Sequence, residues 1–398
     1  MSDIVQKRSV VYVTNVSFPE KGMACANRML SIGKGLVKLG HRVQILTSKS
    51  DRGICEEFII DGVNIRCCTH RKYNEKVYQH FFRFLTSIFR YLKTNQTQID
   101  AVIVYSYYKP LNVALYLITS LLRLHYVAEK TEIPVCMISP RPSWLRQWVE
   151  EFLEFRVMPK MYDGMIIITK TLVSFYERKV RRCCKIIHVP MTVDRSRFGG
   201  IGAPPVSPPY IAYCGTMRNS KDGVLDLITS FQSIAKEFPK IKLVLIGYAE
   251  EDDLIELNSA IRDCGISDRI HYIGHRSRTE IPKLIKGARI LVLPRPDSHQ
   301  AQAGFPTKLG EYLCTGNPVV ATRVGELSDY LTDRKNVYLV TPGNTRELSD
   351  VLCEILNNYE EACAVGRAGM NVAAENFECC VQAKRIELYL RELVQCLV

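Results

Sequence analysis

The sequence lacks several patterns that would each place it in a class of proteins. No apolar run is long enough to cross a bilayer, since the run 111–122 is short and Arg123 closes it. The chain opens almost directly on a strand at 10–13, so we expect no secretory signal. The 15 cysteines are scattered, odd in number and without a CxxC pair. That usage predicts reduced core thiols in a cytoplasmic protein and argues against disulfides or zinc.

Two further motifs are missing. No GxGxxG follows the first strand of either half, so the fingerprint of a nicotinamide dinucleotide site is absent. No DxD ends a strand, and we expect no obligatory divalent metal and no other cofactor. The acidic run 250–253 precedes a helical apolar face, which favours helix-start acids over a metal site.

Charge is divided unevenly along the chain. Residues 1–200 hold 31 Lys and Arg against 16 Asp and Glu, whereas the remainder holds 22 against 25. The basic half therefore predicts an anionic membrane surface, an acidic acceptor or nucleic acid as partner. Nucleic acid ranks last because no recognition motif accompanies the charge, so we expect no nucleic-acid partner.

Strands and helices alternate on both sides of a segment rich in Gly and Pro. With 398 residues and 47% apolar content, the chain is most simply two domains, at 1–198 and 210–378, with a linker at 199–209 and a last helix at 379–398. The alternation predicts two parallel sheets. The predicted strands lie near 9–16, 41–48, 63–68, 101–107, 134–139, 165–169 and 185–190, then near 210–216, 241–247, 269–274, 289–294, 318–322 and 337–341.

The stretch 301–321, AQAGFPTKLGEYLCTGNPVVA, has the features of an anion site. Gly304 allows close approach of the backbone, Pro306 suits the first helical position, and the helix starts at Thr307. Free N–H groups at a helix start bind phosphates, and Glu311, one turn further in, reaches hydroxyls beside them. The plainer interpretation is an ordinary loop, helix and strand.

This segment resembles the donor site of retaining, nucleotide-sugar-dependent glycosyltransferases of family 4, within the glycosyl transferases group 1, which have the GT-B fold. The family signature reads Glu, seven residues, Glu; the second is Glu311, and the first falls on Ala303. The GFPTKLxEYL form occurs in a recognisable branch of the family. The resemblance implies two Rossmann-like, doubly wound parallel-sheet domains facing a cleft, with the acceptor bound by the first domain and the donor by the second. It also implies that the last helix returns to the first domain.

The resemblance assigns roles to residues 210–223, YIAYCGTMRNSKDG, where Asp222 is inserted into the family's Lys-Gly pair. Lys221 and Arg218 would neutralise the departing nucleoside diphosphate, and Glu311 would accept hydrogen bonds from both ribose hydroxyls. Solvated loop cations and a helix-surface Glu are the plainer alternatives. The donor contacts implied by the resemblance are Gly22, Gly215, Gly274, His275, Gly304, Phe305, Thr307, Lys308 and Leu309.

Acceptor contacts are implied in the first domain. Asn27 and Arg28 follow the segment that resembles the family's flexible glycine loop, and Arg141 follows the strand predicted near 134–139. For Arg141 a surface role is the plainer interpretation. The histidine frequent in the family is not evident after that strand, where the sequence reads Pro140-Arg141-Pro142.

The resulting expectation is a retaining enzyme that moves a hexose-type sugar from a nucleotide sugar to a saccharide or lipid-linked saccharide in cell-surface polysaccharide synthesis. Alternatives are a sugar-nucleotide 2-epimerase of the same fold and a non-catalytic nucleotide-sugar-binding protein. A second hypothesis concerns residues 74–95, whose apolar arc from Val77 to Leu92 lies opposite a basic arc. A cytoplasmic protein with such a helix would attach peripherally to the membrane, although a helix buried against the sheet is the simpler account.

Overall fold

The structure is a computed structural model that describes residues 8–18, 24–48, 56–69, 75–134, 143–200 and 209–395. The chain divides into two compact units. The first unit comprises Met1–Thr192 and Cys379–Val398, and the second is Val193–Glu378. Most of the predicted linker, residues 201–208, lies outside the described residues.

The first unit is a sheet of eight strands with helices between them. Its strands are β1 Ser9–Thr14, β2 Arg42–Thr47, β3 Glu57–Ile60, β4 Val63–Cys67, β5 Ala101–Tyr105, β6 His125–Lys130, β7 Gly164–Ile167 and β8 Lys185–His188. Its helices are α1 Ala24–Lys38, α2 Val77–Thr94, α3 Lys109–Leu121, α4 Trp144–Phe152 and α5 Lys170–Glu177, and the final helix Cys379–Gln395. The strand order is β3-β4-β2-β1-β5-β6-β7-β8.

This sheet is not wholly parallel, which corrects the sequence-based prediction. The hairpin β3–β4 is antiparallel, and all other neighbours in the sheet are parallel. Neither β3 nor β6 was predicted. The strand predicted near 134–139 falls almost entirely on residues 135–142, outside the described part of the chain.

Helix α1 carries two glycines because it lies against other elements at very short range. A Cβ on Gly33 would come within 2.8 Å of Val63 in β4, and one on Gly35 would come within 2.4 Å of the Cys379 carbonyl oxygen. The final helix therefore packs closely on α1, and its Ala383 and Ile386 join the core under β1. This contact places 379–395 in the first unit.

Helix α2 buries only part of its apolar arc. Phe84, Ile88 and Leu92 are buried, whereas Val77 and Phe82 in the first turns are exposed. The simpler account is thus correct for the last two thirds of the helix. The first turns leave apolar side chains in solvent.

The second unit is a parallel sheet of six strands. Its strands are β9 Tyr210–Thr216, β10 Lys242–Tyr248, β11 Ile270–Gly274, β12 Ile290–Leu293, β13 Val319–Thr322 and β14 Tyr338–Val340. Its helices are α6 Asn219–Asp222, α7 Val224–Ile234, α8 Glu251–Asp263, α9 Ile281–Lys286, α10 His299–Ala303, α11 Thr307–Leu313, α12 Leu327–Tyr330, α13 Thr345–Asn357 and α14 Tyr359–Asn376. The final helix Cys379–Gln395, which belongs to the first unit, is α15. The predicted α/β class is confirmed. No helix in the described part of the chain combines the length and apolar character needed to cross a bilayer.

Candidate functional site

The carboxyl ends of the strands in the second unit form the candidate site. In the order β11-β10-β9-β12-β13-β14, the chain proceeds outward from β9 in one direction and outward from β12 in the other. Loops that leave strands at such a reversal open a crevice for a ligand at the edge of the sheet. The two loops concerned are 217–223, after β9, and 294–298, after β12.

Glycines let these loops approach one another. Gly223 has φ +66°, and a Cβ there would lie 1.9 Å from the carbonyl oxygen of Pro294. Gly247, at the end of β10, has φ +141°, and its Cβ would lie 1.7 Å from the carbonyl oxygen of Gly215. Only glycine tolerates both the left-handed backbone and the contact. The loop after β9 is therefore fixed against the end of β12.

Lys221 lies in this loop beside a carboxylate that the sequence analysis treated only as an insertion. Lys221 is half-buried, at the end of α6. Asp222 accepts a hydrogen bond from the Thr216 hydroxyl. Burial raises the pKa of Asp222, and the hydrogen bond from Thr216 and the charges of Arg295 and Lys221 oppose part of that rise. Asp222 thus anchors the loop and balances two neighbouring cations.

Arg295 is a candidate site residue that the sequence analysis missed. It lies two residues after the end of β12, is only 6% exposed, and its charge acts on Asp222 and on the buried Tyr213. Thr322 donates a hydrogen bond to its carbonyl oxygen at 2.7 Å. The available signal was an arginine that follows the fully apolar strand ILVL after a single proline, Pro294. Lys221 and Arg295 together can bind an anionic group.

Arg218 is held elsewhere. Its guanidinium forms ion pairs with Glu250 at 2.9 Å and Asp253 at 3.6 Å, and its side chain is 45% exposed. These acids open α8, as the sequence analysis expected. An arginine paired with two carboxylates has less charge left to stabilise a leaving group, so we no longer assign Arg218 that role.

Glu311 is buried, and its carboxylate is bound by two cations. Arg197 donates from Nη1 to Oε1 at 2.6 Å, and Lys308 Nζ lies 3.5 Å from Oε2. Arg197 also donates to the carbonyl oxygen of Arg278 at 2.8 Å. Burial alone would raise the pKa of Glu311, but the charges of Lys308 and Arg197 outweigh it and hold the pKa below its ordinary value. Arg197 was not singled out from the sequence.

The remaining residues of the 304–309 segment divide into two groups. Phe305 and Leu309 are buried, and the ring of Phe305 contacts that of Phe377 with centroids 5.7 Å apart. Their side chains pack in the core, so a donor contact of either residue would be made by its backbone. Thr307 is half-buried at the start of α11, and a Cβ on Gly304 would come within 2.9 Å of the Gln300 carbonyl oxygen. Gly304, Thr307 and Lys308 therefore stay candidates.

Gly274 ends β11, and His275 follows it. Gly274 has φ +72°, which favours glycine, and no atom lies within 4 Å of a Cβ built there. His275 is exposed. The structure leaves open space above this turn, so both residues stay candidates for contact with a base.

The implied contact residues of the first unit are scattered. The donor contact Gly22 and the acceptor contact Arg141 lie outside the described residues, and Asn27 is half-buried in α1. Arg28 is 2% exposed and donates to Glu129 at 2.5 Å and to the carbonyl oxygens of Pro190 and Val189. The assignment of Arg28 to the acceptor is therefore wrong, because its guanidinium is buried and donates its hydrogen bonds to groups in the core.

Comparisons with known proteins bear on the same segment. The sequence pattern of the family described as Glycosyl transferases group 1 matches residues 208–358. A 2-deoxystreptamine glucosyltransferase of Streptomyces kanamyceticus is 25% identical over 190 residues, which are 47% of this chain and 46% of that protein. An MMP alpha-(1->4)-mannosyltransferase of Mycolicibacterium hassiacum is 29% identical over 34% of this chain and 32% of its own. The chain thus spans between a third and a half of the length of these curated relatives.

Solved structures match over almost the whole chain. Sucrose-phosphate synthase from Thermosynechococcus elongatus has a TM-score of 0.73 at 15% identity, covering 98% of this chain and 100% of that one. HepE of Anabaena in complex with UDP-glucose has a TM-score of 0.69 at 15% identity, covering 96% and 99%. At this identity the likeness establishes the fold alone, and the fold is GT-B.

Proposed function

We propose that the protein is a glycosyltransferase using a nucleoside diphosphate sugar, because residues 208–358 match the sequence pattern of the glycosyl transferases group 1 family. The observation that carries the proposal is the loop 217–223 at the reversal point of the sheet, where the charges of Lys221 and the buried Arg295 both act on Asp222. Two cations at the carboxyl edge of such a sheet suit a diphosphate. The transferred residue is a hexose, as in the glucosyl and mannosyl transferases that the chain resembles.

In this proposal the two cations act on the leaving group. The bond between the anomeric carbon and the diphosphate oxygen breaks, and Lys221 and Arg295 stabilise the charge that grows on that oxygen. Each charge-assisted hydrogen bond contributes about 1.5–3 kcal/mol. No metal is then needed to neutralise the departing diphosphate.

In the proposal the anomeric configuration is retained because the acceptor attacks the anomeric carbon on the same face from which the leaving group departs. The acceptor hydroxyl oxygen bonds to the anomeric carbon, and its proton passes to the departing phosphate oxygen. This route uses no protein nucleophile. It therefore needs no carboxylate at the first motif position, where this chain has Ala303, which is 7% exposed. Ala303 does remove a carboxylate that would bind hydroxyls of the sugar.

We assign Glu311 to the ribose of the nucleotide. Its carboxylate is kept ionised by Arg197 and Lys308, and an ionised carboxylate is a pure acceptor with about four lone-pair positions. Two positions are used by the cations, which leaves capacity for ribose hydroxyls. Arg197 acts on the ligand through Glu311 and is a positioning residue.

The acceptor is proposed to be a saccharide or a lipid-linked saccharide used in cell-surface polysaccharide synthesis, bound by the basic first unit on the cytoplasmic side of the membrane. The charge of residues 1–200, with 31 Lys and Arg against 16 Asp and Glu, supports an anionic acceptor or surface. Asn27, at the start of the first unit's α1, remains the described candidate for acceptor contact.

A panel of UDP- and GDP-sugars incubated with the purified protein and saccharide acceptors tests the proposal. We expect formation of a glycoside and release of nucleoside diphosphate for at least one donor. NMR of the product should show the same anomeric configuration as in the donor. Conversion of the nucleotide sugar to its 2-epimer without transfer would identify the epimerase instead. Donor binding without turnover would identify a non-catalytic protein, the alternative that Ala303 favours.

A further inference from the structure

Helix α4 turns its apolar face outward. It has no buried residue, and five of its nine residues are exposed apolar side chains. They are Trp144, Leu145, Trp148, Val149 and Phe152. Trp144 is 79% exposed and Trp148 57%, and these are the 2 tryptophans of the whole chain. A soluble protein seldom leaves such a stripe in solvent unless something covers it.

The opposite face of α4 carries the polar residues and lies toward the unit. Glu150 is half-buried and forms an ion pair with Lys109 at the start of α3, at 3.5 Å. Residues spaced by four share one face of a helix, and the rings of Trp148 and Phe152 stack there at 5.4 Å. The helix therefore contacts the rest of the unit through its polar face and exposes its apolar face. In a helix that packs on a core, the two faces are oriented the opposite way.

Further exposed aromatic groups continue this surface. Lys109 follows Tyr108, whose ring is 44% exposed and lies edge-on to Phe81 of α2 at 5.5 Å. The next residue of α2, Phe82, is exposed. We call the five apolar residues of α4 together with Tyr108 and Phe82 the aromatic surface. It spans three helices or helix starts of one unit.

Basic residues follow the aromatic surface along the chain. Directly after α4 come Arg156 and Lys160, both exposed. Burial and the charges of Arg156 and Arg178 lower the pKa of Lys179. Lys179 also lies 3.7 Å from the ring centroid of Phe175 and 5.9 Å from that of Phe155. Exposed cations thus follow the exposed aromatic residues closely along the chain.

We propose that α4 lies in the headgroup region of an anionic lipid bilayer, with Trp144, Trp148 and Phe152 immersed and Arg156 and Lys160 at the lipid phosphates. Tryptophan prefers this interface, and nearby Lys and Arg add attraction to an anionic leaflet. The attachment goes beyond the proposed transfer and depends on none of its steps. It makes α4 the main element of membrane contact instead of α2, which buries Phe84, Ile88 and Leu92 of its apolar arc.

The charge argues for lipid over a second copy of the chain. Two copies meeting on this surface would bring their basic residues Arg156, Lys160 and Arg178 together, and like charges across an interface oppose association. An anionic bilayer matches both the apolar stripe and the cations. A dimer is therefore an outcome against which the proposal is tested.

Tryptophan fluorescence tests the proposal directly, because both tryptophans of the chain lie on α4. Full-length protein is titrated with vesicles of phosphatidylcholine alone and of phosphatidylcholine mixed with phosphatidylglycerol. We expect a blue shift of the emission with the anionic vesicles that weakens as salt is added, and quenching by lipids brominated on their acyl chains. Unchanged emission with both vesicles would overturn the proposal.

Vesicle sedimentation with variants distinguishes binding through α4 from non-specific binding through other exposed apolar residues. We expect W144A/W148A to weaken binding to anionic vesicles about tenfold or more. W144F/W148F should retain most of the binding to anionic vesicles. R156E/K160E should remove the dependence of binding on anionic lipid. Ile255→Ala, at an apolar residue of α8 that is 63% exposed, is the matched control and should leave binding unchanged. Equal binding of W144A/W148A and the parent, with the fold intact by circular dichroism, would exclude α4.

Analytical ultracentrifugation without lipid addresses the second copy. The proposal expects a monomer at the concentrations used for vesicle binding. A dimer that dissociates in W144A/W148A would assign the aromatic surface to self-association and overturn the membrane assignment.

Discussion

At the scale of single residues, the candidate site depends on where the charge of each cation is directed. Arg218 and Lys221 are three positions apart in one loop, yet Arg218 is paired with Glu250 and Asp253, whereas the charges of Lys221 and Arg295 both act on Asp222. Electrostatic stabilisation of a leaving group requires charge already aimed at the place where charge develops. The two residues therefore differ in their expected contributions.

Lys221→Ala should lower kcat for transfer about 100-fold or more, because it removes a cation from the developing diphosphate charge. The matched variant Arg218→Ala should change kcat by less than about tenfold, since its guanidinium is bound by carboxylates. Steady-state kinetics with a fixed donor and acceptor measure both. Equal losses in the two variants would contradict the assignment of Lys221.

Glu311→Ala should weaken nucleotide binding about tenfold or more, because the ribose hydroxyls lose their acceptor. Calorimetry with the nucleotide and with its deoxyribose analogue measures the effect on the parent and the variant. The two ligands should differ in affinity for the parent and become similar for the variant. If the parent already bound both equally, the ribose assignment would be wrong.

The Arg197–Glu311 ion pair leads to a prediction about pH. The pKa of Glu311 is lowered in the folded protein, so its contribution to stability is present above its ordinary pKa and is lost as the pH falls through the lowered value. Arg197→Met leaves the buried carboxylate with Lys308 alone and should cost about 3 kcal/mol at neutral pH. That variant should also begin to unfold at a higher pH on acidification than the parent.

Urea unfolding followed at neutral pH and near pH 4.5 measures this difference. Arg197→Lys, which keeps the charge, is the control and should recover part of the lost free energy of unfolding. The same pH dependence in the parent and in Arg197→Met would show that the ion pair does not set the pKa of Glu311.

At the scale of elements, the sequence predicts a strand well when its pattern is local. β9 was predicted at 210–216 and is found at Tyr210–Thr216, because YIAYCGT is apolar and bounded by Pro and a glycine turn. The strand β6, HYVAEK, was missed because it ends in two charged residues. Both are buried, since Glu129 is paired with Arg28 and Lys130 with Glu154. Partners that are distant in sequence allow this burial, and no local pattern reveals them.

The same limit applies to the candidate site. The glycines and the carboxylate Glu311 were found from turn and helix patterns, whereas Arg197, more than 100 positions from its partner, was not. Arg28 was misassigned for the related reason that its partner Glu129 is remote in sequence and makes it a core residue. Turns are encoded locally, and ion pairs between elements are not.

Two glycines with similar φ values give a matched pair for the loop after β9. Gly223→Ala should destabilise the protein by more than about 2 kcal/mol, because the left-handed backbone is strained and the new Cβ would meet the Pro294 carbonyl oxygen. Gly274→Ala has the backbone cost alone, about 1 kcal/mol, since its Cβ meets open space. Chemical denaturation measures both. A cost for Gly223→Ala no larger than for Gly274→Ala would show that the loop does not lie against β12.

At the scale of the whole molecule, the two units have different characters. The second unit carries the glycine turns and the buried charges of the candidate donor site, while the first half of the chain has the excess of positive charge and the aromatic surface. Chemistry and attachment are then separable. Variants of α4 should change where the protein binds without changing turnover of a water-soluble acceptor, and variants of the loop after β9 should do the reverse.

The last prediction concerns metal. In the proposed mechanism the charge on the departing diphosphate is neutralised by Lys221 and by the buried Arg295, which replace the divalent ion that some transferases hold through a DxD motif. Transfer should therefore persist when EDTA is added in excess over all divalent ions. The rate should fall by less than about twofold, since no chemical step depends on the ion. Initial rates with EDTA, with Mg²⁺ and with Mn²⁺ test this, and parallel calorimetry of nucleotide binding separates an effect on the donor from one on the protein. Loss of turnover in EDTA that Mn²⁺ restores, at unchanged nucleotide affinity, would show that a metal takes the part assigned to the two cations.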